Sequence, residues 1–115
     1  MNLGSFRAVT VAMKLPIFAI NLDGEDDRWG DLSVSAEPTG LDLHRVPAVD
    51  GRKIAHRDWE NFDATAARRQ NGREILPTEY GCYRSHLRAL ETFLADGNQY
   101  GLIIEDDVAL DEDTL

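Results

Sequence analysis

The chain has 115 residues, a length that corresponds to one domain or to part of one. It is 43% hydrophobic and 29% charged, which excludes wholesale disorder, and no apolar run approaches the ~20 residues of a membrane span. A single cysteine excludes an internal disulfide framework, and the formal net charge of −9 excludes nucleic acid as an expected partner, because phosphates require Lys and Arg.

Residues 1–12 are predicted to be an N-terminal extension that precedes a domain at residues 13–115. Met13 and Lys14 look like a natural start, and the preceding residues lack the long apolar region of a secretory signal. An additional edge strand over residues 8–13 is the alternative. The lone cysteine fits a reducing compartment, so we expect a cytoplasmic protein, with peripheral attachment to the inner membrane as a second location.

Three short apolar runs predict the strands of an α/β fold. Residues 16–22 (PIFAINL) form the first strand, residues 43–49 (LHRVPAV) the second and residues 100–104 (YGLII) the third. Pro47 lacks a backbone N–H, so it predicts either that the second strand lies at a sheet edge or that the strand ends there. Because helical segments separate the strands, the strands are expected to pair in parallel.

Three helical segments are predicted between the strands. A weak one begins near Glu25, a short one covers residues 58–70, and the strongest runs from about residue 79 to residue 95. Apolar residues in the strongest helix recur at steps of four, three and four and predict its buried stripe: Tyr83, Leu87, Leu90 and Leu94. Cys82 has no activating cluster around it in the sequence and is predicted to be a core residue.

An acidic triplet follows the third strand directly, in the segment YGLIIEDDV. In open α/β sheets, ligands bind beyond the carboxyl ends of the strands. Because side chains alternate along a strand, Glu105 and Asp107 are expected on one side and Asp106 on the other. Two carboxylates on one side suit Mg²⁺ or Mn²⁺, and such an ion can bridge a diphosphate. The alternative is that the acids only cap or solvate the strand end.

Polar residues after the other two strands are further candidates for ligand contacts. Asn21 and Asp23 could bond a base or a ribose, and Arg28 could meet a phosphate. Asp50 and Gly51 follow the second strand, where glycine permits the close approach of a ligand. Plain turns and a surface salt bridge are the structural alternatives for these residues.

The first turns of the strongest helix hold a second group of candidates. Gly81 has no side chain, so a ligand or another chain segment can approach the helix closely there. His86 could either bond a phosphate or hold an acidic loop in place. Ser85 and His86 do not form a nucleophile pair, since adjacent helical residues do not face each other. The acids at residues 111–113 follow no strand and predict a helix N-terminus instead.

Four segments occur in one order along the chain: PIFAINLDGEDDRW, HRVPAVDG, LPTEYGCYRSH and YGLIIEDDV. Together they resemble the pattern of glycosyltransferase family 25, which includes sugar transferases of lipopolysaccharide biosynthesis and related collagen galactosyltransferases. The resemblance spans about residues 14–110. It implies a Rossmann-like, A-type glycosyltransferase fold that is present here in part, as the N-terminal half that binds the sugar donor.

The resemblance also implies ligands and site residues. The expected ligands are a nucleotide-sugar donor, commonly UDP-galactose, a glycan acceptor such as lipopolysaccharide, and a divalent metal ion, Mn²⁺ or Mg²⁺, on the diphosphate. Glu105 and Asp107 would bind the metal, with Asp107 as the stronger ligand. The remaining matched positions would line the nucleotide site: Asn21, Leu22, Asp23, Arg28, Asp50, Gly51, Ser85, His86 and Asp106.

Two departures from the family pattern lead to further expectations. Between Trp29 and His44 the family has a fuller helix, whereas Pro38 and Gly40 interrupt this sequence, so a loop is expected there. The sequence also ends at Leu115, just past the acidic triplet, whereas in the family the later strands and the acceptor site follow that motif. No residue is identified as a catalytic base, and the 115 residues alone are expected to be inactive, as a shortened product or part of a longer protein.

Two other classes of function remain as alternatives. One is a non-catalytic nucleotide-binding or interaction protein that retains the fold. The other is a small metal-dependent phosphoryl-transfer domain, which is disfavoured because no lysine follows the acidic triplet. In each case an exposed sheet edge could pair with a second copy of the chain.

Overall fold

The computed structural model describes residues 15–111. The predicted N-terminal extension, with its alternative edge strand, lies outside the described residues, and only Asp111 of the predicted helix start at residues 111–113 is described. Helices separate the strands along the described chain, in this order: β1 Pro16–Asn21, α1 Asp26–Ala36, β2 Asp42–Pro47, α2 Ala64–Asn71, α3 Pro77–Asp96 and β3 Leu102–Glu105.

The strands of the described residues form one parallel sheet in the order β2-β1-β3. This confirms the predicted α/β arrangement, which is consistent with a partial Rossmann-like fold. β2 is an edge strand of this sheet and ends at Pro47, as predicted. The register pairs Ile20 of β1 with Val46 on one side and with Glu105 on the other. All three strands therefore end at the same edge of the sheet.

Every residue of β1 is buried, because the strand has helices on both of its faces. Ile17 and Ala19 pack on one face, together with buried residues of α1. Phe18 and Ile20 pack on the other face against Ala89 of α3 and against β2. The continuous apolar run of the sequence thus matches a strand that lies in the middle of a three-layer arrangement.

The segment between residues 29 and 44 corrects the expected loop, because α1 continues to Ala36. Leu32 and Ala36, four residues apart, are both buried against β1, and this contact extends the helix. Pro38 lies beyond the α-helix in a short 3₁₀ turn at Glu37–Thr39, and Gly40 ends that turn with a φ of +68°. The interruption that the sequence indicated is real, but it comes after the helix.

The second helix begins six residues later than predicted. α2 starts at Ala64, where the carboxylate of Asp63 accepts a hydrogen bond from the backbone N–H of Ala66 at 3.0 Å. The preceding residues, predicted as the first part of the helix, pack their aromatic rings outside it. Trp59 stacks on Tyr80 of α3 at a centroid distance of 4.3 Å. The ring packing and the N-cap together set the later start.

The strongest predicted helix is confirmed as α3, but the predicted buried stripe is wrong. Leu90 and Leu94 are 47% and 74% exposed, Tyr83 is also exposed, and Leu87 is only half-buried. The buried positions of α3 are instead mostly small: Tyr80, Gly81, Ser85 and Ala89. The small residues recur every four positions and form one face, on which the backbone of α3 can approach its neighbours closely.

Glu79 stabilises the start of α3 and gives stability a pH dependence. Its carboxylate accepts hydrogen bonds from the Arg73 guanidinium at 2.7 and 3.1 Å and from the Leu76 N–H at 3.1 Å. The bond from Arg73, followed by that from Leu76, lowers the pKa of Glu79. A group with a lowered pKa stabilises the fold above its unfolded pKa, and this contribution is lost as pH falls through the folded pKa.

We therefore expect Glu79→Gln to unfold at a lower temperature than the wild type at pH 7. The difference should shrink once the pH falls below about 4.3, the ordinary glutamate pKa, and should be absent when both proteins carry an uncharged side chain. Thermal unfolding followed by circular dichroism across this range measures it. Glu91→Gln, on the exposed surface of the same helix, is the matched control. A difference in unfolding temperature that persists in acid would show that Glu79 acts through packing rather than through its charge.

Candidate functional site

A cleft of about 340 Å³ opens at the edge of the sheet where the three strands end. Its volume lies in the range of small-molecule sites. The lining comes from the segments after β1, β2 and β3 and from the first turns of α3: Ile20, Leu22, Glu25, Arg28, Ala48, Val49, Thr78, Gly81, Cys82, Ser85, Glu105, Asp106 and Asp107. An adjoining pocket of about 150 Å³ shares part of this lining and includes Asp50 and Gly51.

Close contact between two backbone segments forms one wall of the cleft. A Cβ atom on Gly51 would lie 1.9 Å from the carbonyl oxygen of Pro77, and one on Gly81 would lie 2.7 Å from that of Val49. The Ser85 hydroxyl joins the same segments, since it accepts from the Val49 N–H at 2.8 Å and donates to the Gly81 carbonyl at 2.6 Å. The close approach at both glycines is therefore made by the chain itself.

Asn21 lies at the end of β1, only 1% exposed, and its amide bonds to other parts of the chain. Its Nδ2 donates to the Glu25 carbonyl at 3.1 Å and to Asp106 Oδ2 at 2.8 Å. Its Oδ1 accepts from Arg45 Nε at 2.8 Å. Asn21 thus connects all three strands at the edge where the cleft opens, and it holds the acidic triplet in place.

We expect Asn21→Ala to lower the free energy of unfolding by about 2–3 kcal/mol, because it leaves the Asp106 carboxylate and the Arg45 guanidinium without their buried partner. Urea unfolding measures this loss. Asn98→Ala is the matched control, since Asn98 bonds Asp96 on the surface, and it should change stability by less than about 0.5 kcal/mol. Equal effects of the two substitutions would contradict the assigned role of Asn21.

The acidic triplet alternates in exposure along the chain, with Glu105 at the end of β3 and Asp106 and Asp107 in the turn that follows. The Asp106 side chain is 10% exposed, bonds Asn21 and lies 3.8 Å from the Arg28 guanidinium. Glu105 and Asp107 are exposed, and both line the cleft. The two outer carboxylates are therefore accessible to a ligand, whereas the middle one is engaged with the protein.

The cleft carries an excess of negative charge. Four carboxylates and one guanidinium line it, which gives a formal net charge of −3. The carboxylates belong to Glu25, Glu105, Asp106 and Asp107, and the guanidinium to Arg28. A nucleoside diphosphate would be repelled by such a surface unless a cation were bound there. A divalent cation with hard oxygen ligands fits this donor set.

The two other predicted acids have partners of their own. Asp23 is exposed and pairs with the Arg45 guanidinium at 2.7 Å, outside the residues that line the cleft. Asp50 accepts from the backbone N–H and the guanidinium of Arg52 and begins the 3₁₀ turn Gly51–Lys53. The bond from the Arg52 side chain lowers the pKa of the Asp50 carboxyl. Both geometries match the turn and salt-bridge alternatives.

Leu22, another predicted site residue, lines both the cleft and the adjoining pocket.

Cys82 corrects another expectation, because it is exposed and is not a core residue. Its Sγ lies 3.5 Å from Glu105 Oε1, and His86 Nε2 lies 3.7 Å from the same oxygen. Partial burial raises the pKa of the Cys82 thiol, and the hydrogen bond to Glu105 adds to this shift. Of the two roles considered for His86, the structure places it where it can hold the acidic segment.

Sequence reasoning missed Arg45, which binds both Asn21 and Asp23. The available signal was a cationic residue within a predicted strand, two residues before the end of that strand in the structure. The parallel register places Arg45 opposite Ala19, two residues before Asn21, so its long side chain reaches the strand end. Thr78, in the first turn of α3, also lines the cleft and was not among the predicted site residues.

The parallel sheet and its acidic cleft define an α/β domain whose cleft lies beyond the carboxyl ends of its strands, which is where open α/β sheets bind their ligands. The sequence model of glycosyltransferase family 25, described as LPS biosynthesis protein, matches residues 14–115. The chain belongs to this family, which confirms the resemblance of the four sequence segments. In the described part of the chain, no helix combines the length and apolar character required to cross a membrane.

Two relatives carry the name glycosyltransferase 25 family member. The protein of Aedes aegypti is 29% identical over 96 residues, and that of Anopheles gambiae is 28% identical over 96 residues. Each alignment covers 80% of this chain and 16% of the relative, so the chain spans only a small part of the length of these proteins. No solved structure matches the chain significantly.

Proposed function

We propose that the chain binds a nucleotide-sugar donor, a UDP-sugar, at the cleft through a divalent metal ion. The sugar, galactose in this proposal, is transferred to a glycan acceptor such as lipopolysaccharide. The observation that carries the proposal is the pair of exposed carboxylates, Glu105 and Asp107, at the strand-end cleft of a family 25 chain. Sugar transfer also requires an acceptor site. The complete activity is therefore proposed for a protein that combines this donor-binding part with an acceptor site.

The residues at the cleft fit a hard divalent cation, Mn²⁺ or Mg²⁺. Glu105 and Asp107 would hold it with carboxylate oxygens, which are the ligands these ions prefer. When bound, the ion would stabilise negative charge that develops on the diphosphate as the sugar departs. The ion would also offset the net charge of −3 that four carboxylates and one guanidinium give the cleft.

Other residues of the chain would position the donor. The Arg28 side chain is 61% exposed at the cleft, where its guanidinium can meet a phosphate oxygen. Leu22 and Val49 provide apolar surface next to the polar groups. The side chains of Asn21 and Ser85 form hydrogen bonds to other residues of the chain. Their proposed role is therefore to hold the cleft residues in position rather than to contact the donor.

Calorimetric titration of the folded chain with UDP, with and without Mn²⁺, tests the proposal. Binding that requires the metal supports a donor site. Absence of binding to a protein that circular dichroism shows to be folded would contradict it. The non-catalytic alternative makes the same binding prediction and differs in turnover, so sugar transfer by the full protein separates the two.

Two further predictions accompany the proposal. A cytoplasmic location, with peripheral attachment to the inner membrane, can be tested by cell fractionation. Pairing with a second copy can be tested by light scattering, since β2 and β3 each have one unpaired edge within the described sheet.

A further inference from the structure

Three side chains with different ligand atoms meet at the rim of the cleft. Cys82 and His86 are four residues apart on α3, a spacing that places them on one face of the helix, and Glu105 reaches them from the end of β3. Their ligand atoms all lie within 4.8 Å of one another. We propose that Cys82, His86 and Glu105 bind a zinc ion, with a fourth coordination position open to water.

The distances match tetrahedral zinc coordination. Cys82 Sγ and His86 Nε2 lie 3.5 and 3.7 Å from Glu105 Oε1. Zinc bonds of about 2.3 Å to sulfur and about 2.0–2.2 Å to nitrogen and oxygen, at the tetrahedral angle, separate neighbouring ligand atoms by about 3.3–3.7 Å. Both distances to Glu105 therefore lie in the range that zinc coordination requires, and the Cys82 and His86 ligand atoms lie within 4.8 Å of each other.

The chemistry of the three ligands selects zinc over the ions proposed for the donor site. A thiolate and an imidazole favour Zn²⁺, whereas Mg²⁺ and Mn²⁺ prefer oxygen ligands. One thiolate and one carboxylate balance the 2+ charge, and the thiol proton leaves to solvent when zinc binds. The side chains of His86 and Glu105 are 45% and 51% exposed, so an ion can reach them from solution.

Glu105 belongs both to this zinc site and to the Glu105–Asp107 pair proposed for the donor metal. Zinc would therefore compete with Mn²⁺-dependent donor binding, a consequence that rests on the proposed function. The zinc site itself does not rest on it, since it can be tested without nucleotide. Loss of UDP binding and loss of zinc binding are thus separate results.

The test is a titration of the chain with Co²⁺, an ion that replaces zinc and reports its ligands by absorption. A bond from Co²⁺ to a thiolate gives an intense near-ultraviolet charge-transfer band. Because the chain contains a single cysteine, this band can arise only from Cys82. We expect the band in the wild type, its disappearance on addition of Zn²⁺, and its absence in Cys82→Ser.

The other two ligands are tested by affinity. His86→Gln and Glu105→Gln should each weaken Co²⁺ binding by more than about 100-fold, beyond the 10–100-fold cost of losing an outer-shell partner. Glu91→Gln and His56→Gln are the matched carboxylate and histidine controls, and both should keep the wild-type affinity within about twofold. Circular dichroism checks that each variant is folded. A folded wild type without the band, or unchanged Co²⁺ affinity in His86→Gln, would overturn the proposal.

Discussion

Asp107→Ala is expected to abolish Mn²⁺-dependent binding of UDP and to leave the fold intact. Asp107 is exposed at the cleft and has the carboxylate that the resemblance assigns as the stronger metal ligand. Its removal takes one hard oxygen ligand from the ion, and we expect UDP affinity in Mn²⁺ to fall by more than about 100-fold, beyond the cost of losing an outer-shell partner. As an exposed substitution, it should change stability by less than about 0.5 kcal/mol.

The matched control for this prediction is Asp111→Ala, which removes a carboxylate four residues further along the chain. Asp111 is not among the residues that line the cleft, and its replacement should change UDP affinity by less than about twofold. Calorimetry with and without Mn²⁺ measures both variants, and thermal unfolding checks their folds. Unchanged Mn²⁺ dependence in Asp107→Ala would remove the metal assignment. An equal loss of UDP affinity in both variants would show that the carboxylates act through general electrostatic attraction, and that Asp107 is not a specific metal ligand.

The sheet could be predicted because its signal is local and strong. The run PIFAIN is long enough for one strand and apolar at nearly every position, so it matches a strand buried on both faces. Helical segments between successive strands then favour parallel pairing. The parallel ends also bring the residues after each strand to one edge, and this is why the acidic triplet was placed at a ligand site from sequence.

The helices were predicted less well because tertiary contacts decide their ends and faces. Leu32 and Ala36 extend α1 through burial against β1, which the weak local signal did not show. In α3 the large residues Leu90 and Leu94 face solvent, whereas the buried face includes Gly81 and other small residues. Periodicity identifies large apolar residues, but close packing of backbone against backbone requires small ones.

The candidate site shows the same limit at the level of single side chains. Residue type indicated that Asn21 could bond a ligand, and the structure shows its amide bonded to Glu25, Arg45 and Asp106 of the chain itself. The partner Arg45 comes from a neighbouring strand, so the contact depends on register and on a long side chain. The predicted alternation needed only local geometry, and the exposure of Glu105 and Asp107 agrees with it, although β3 ends at Glu105.

Gly51→Ala is expected to destabilise the protein strongly. The new Cβ atom would lie 1.9 Å from the carbonyl oxygen of Pro77 and 2.8 Å from the backbone nitrogen of Gly81. Both neighbours are backbone atoms of α3, which cannot turn away as a flexible side chain would. Because overpacking of buried sites costs about 1–3 kcal/mol, we expect a loss near the upper end, about 3 kcal/mol.

The control for this prediction is Gly30→Ala, in the middle of α1. A Cβ atom at Gly30 meets no atom within 4 Å, so alanine should stabilise the helix by about 0.5–1 kcal/mol. Urea unfolding of both variants gives the two opposite shifts in midpoint. A loss below about 0.5 kcal/mol in Gly51→Ala would show that the loop after β2 yields easily to the added methyl group.

The same substitution should also alter ligand binding, because the contact between Gly51 and Gly81 sets the distance between α3 and the strand ends. If α3 moves outward to admit the methyl group, Cys82 and Ser85 move with it at the wall of the cleft. Mn²⁺-dependent UDP affinity should then fall together with stability in Gly51→Ala and remain unchanged in Gly30→Ala. A folded Gly51→Ala variant with wild-type UDP affinity would show that donor binding does not depend on this wall. In that case the acidic strand end alone would define the site.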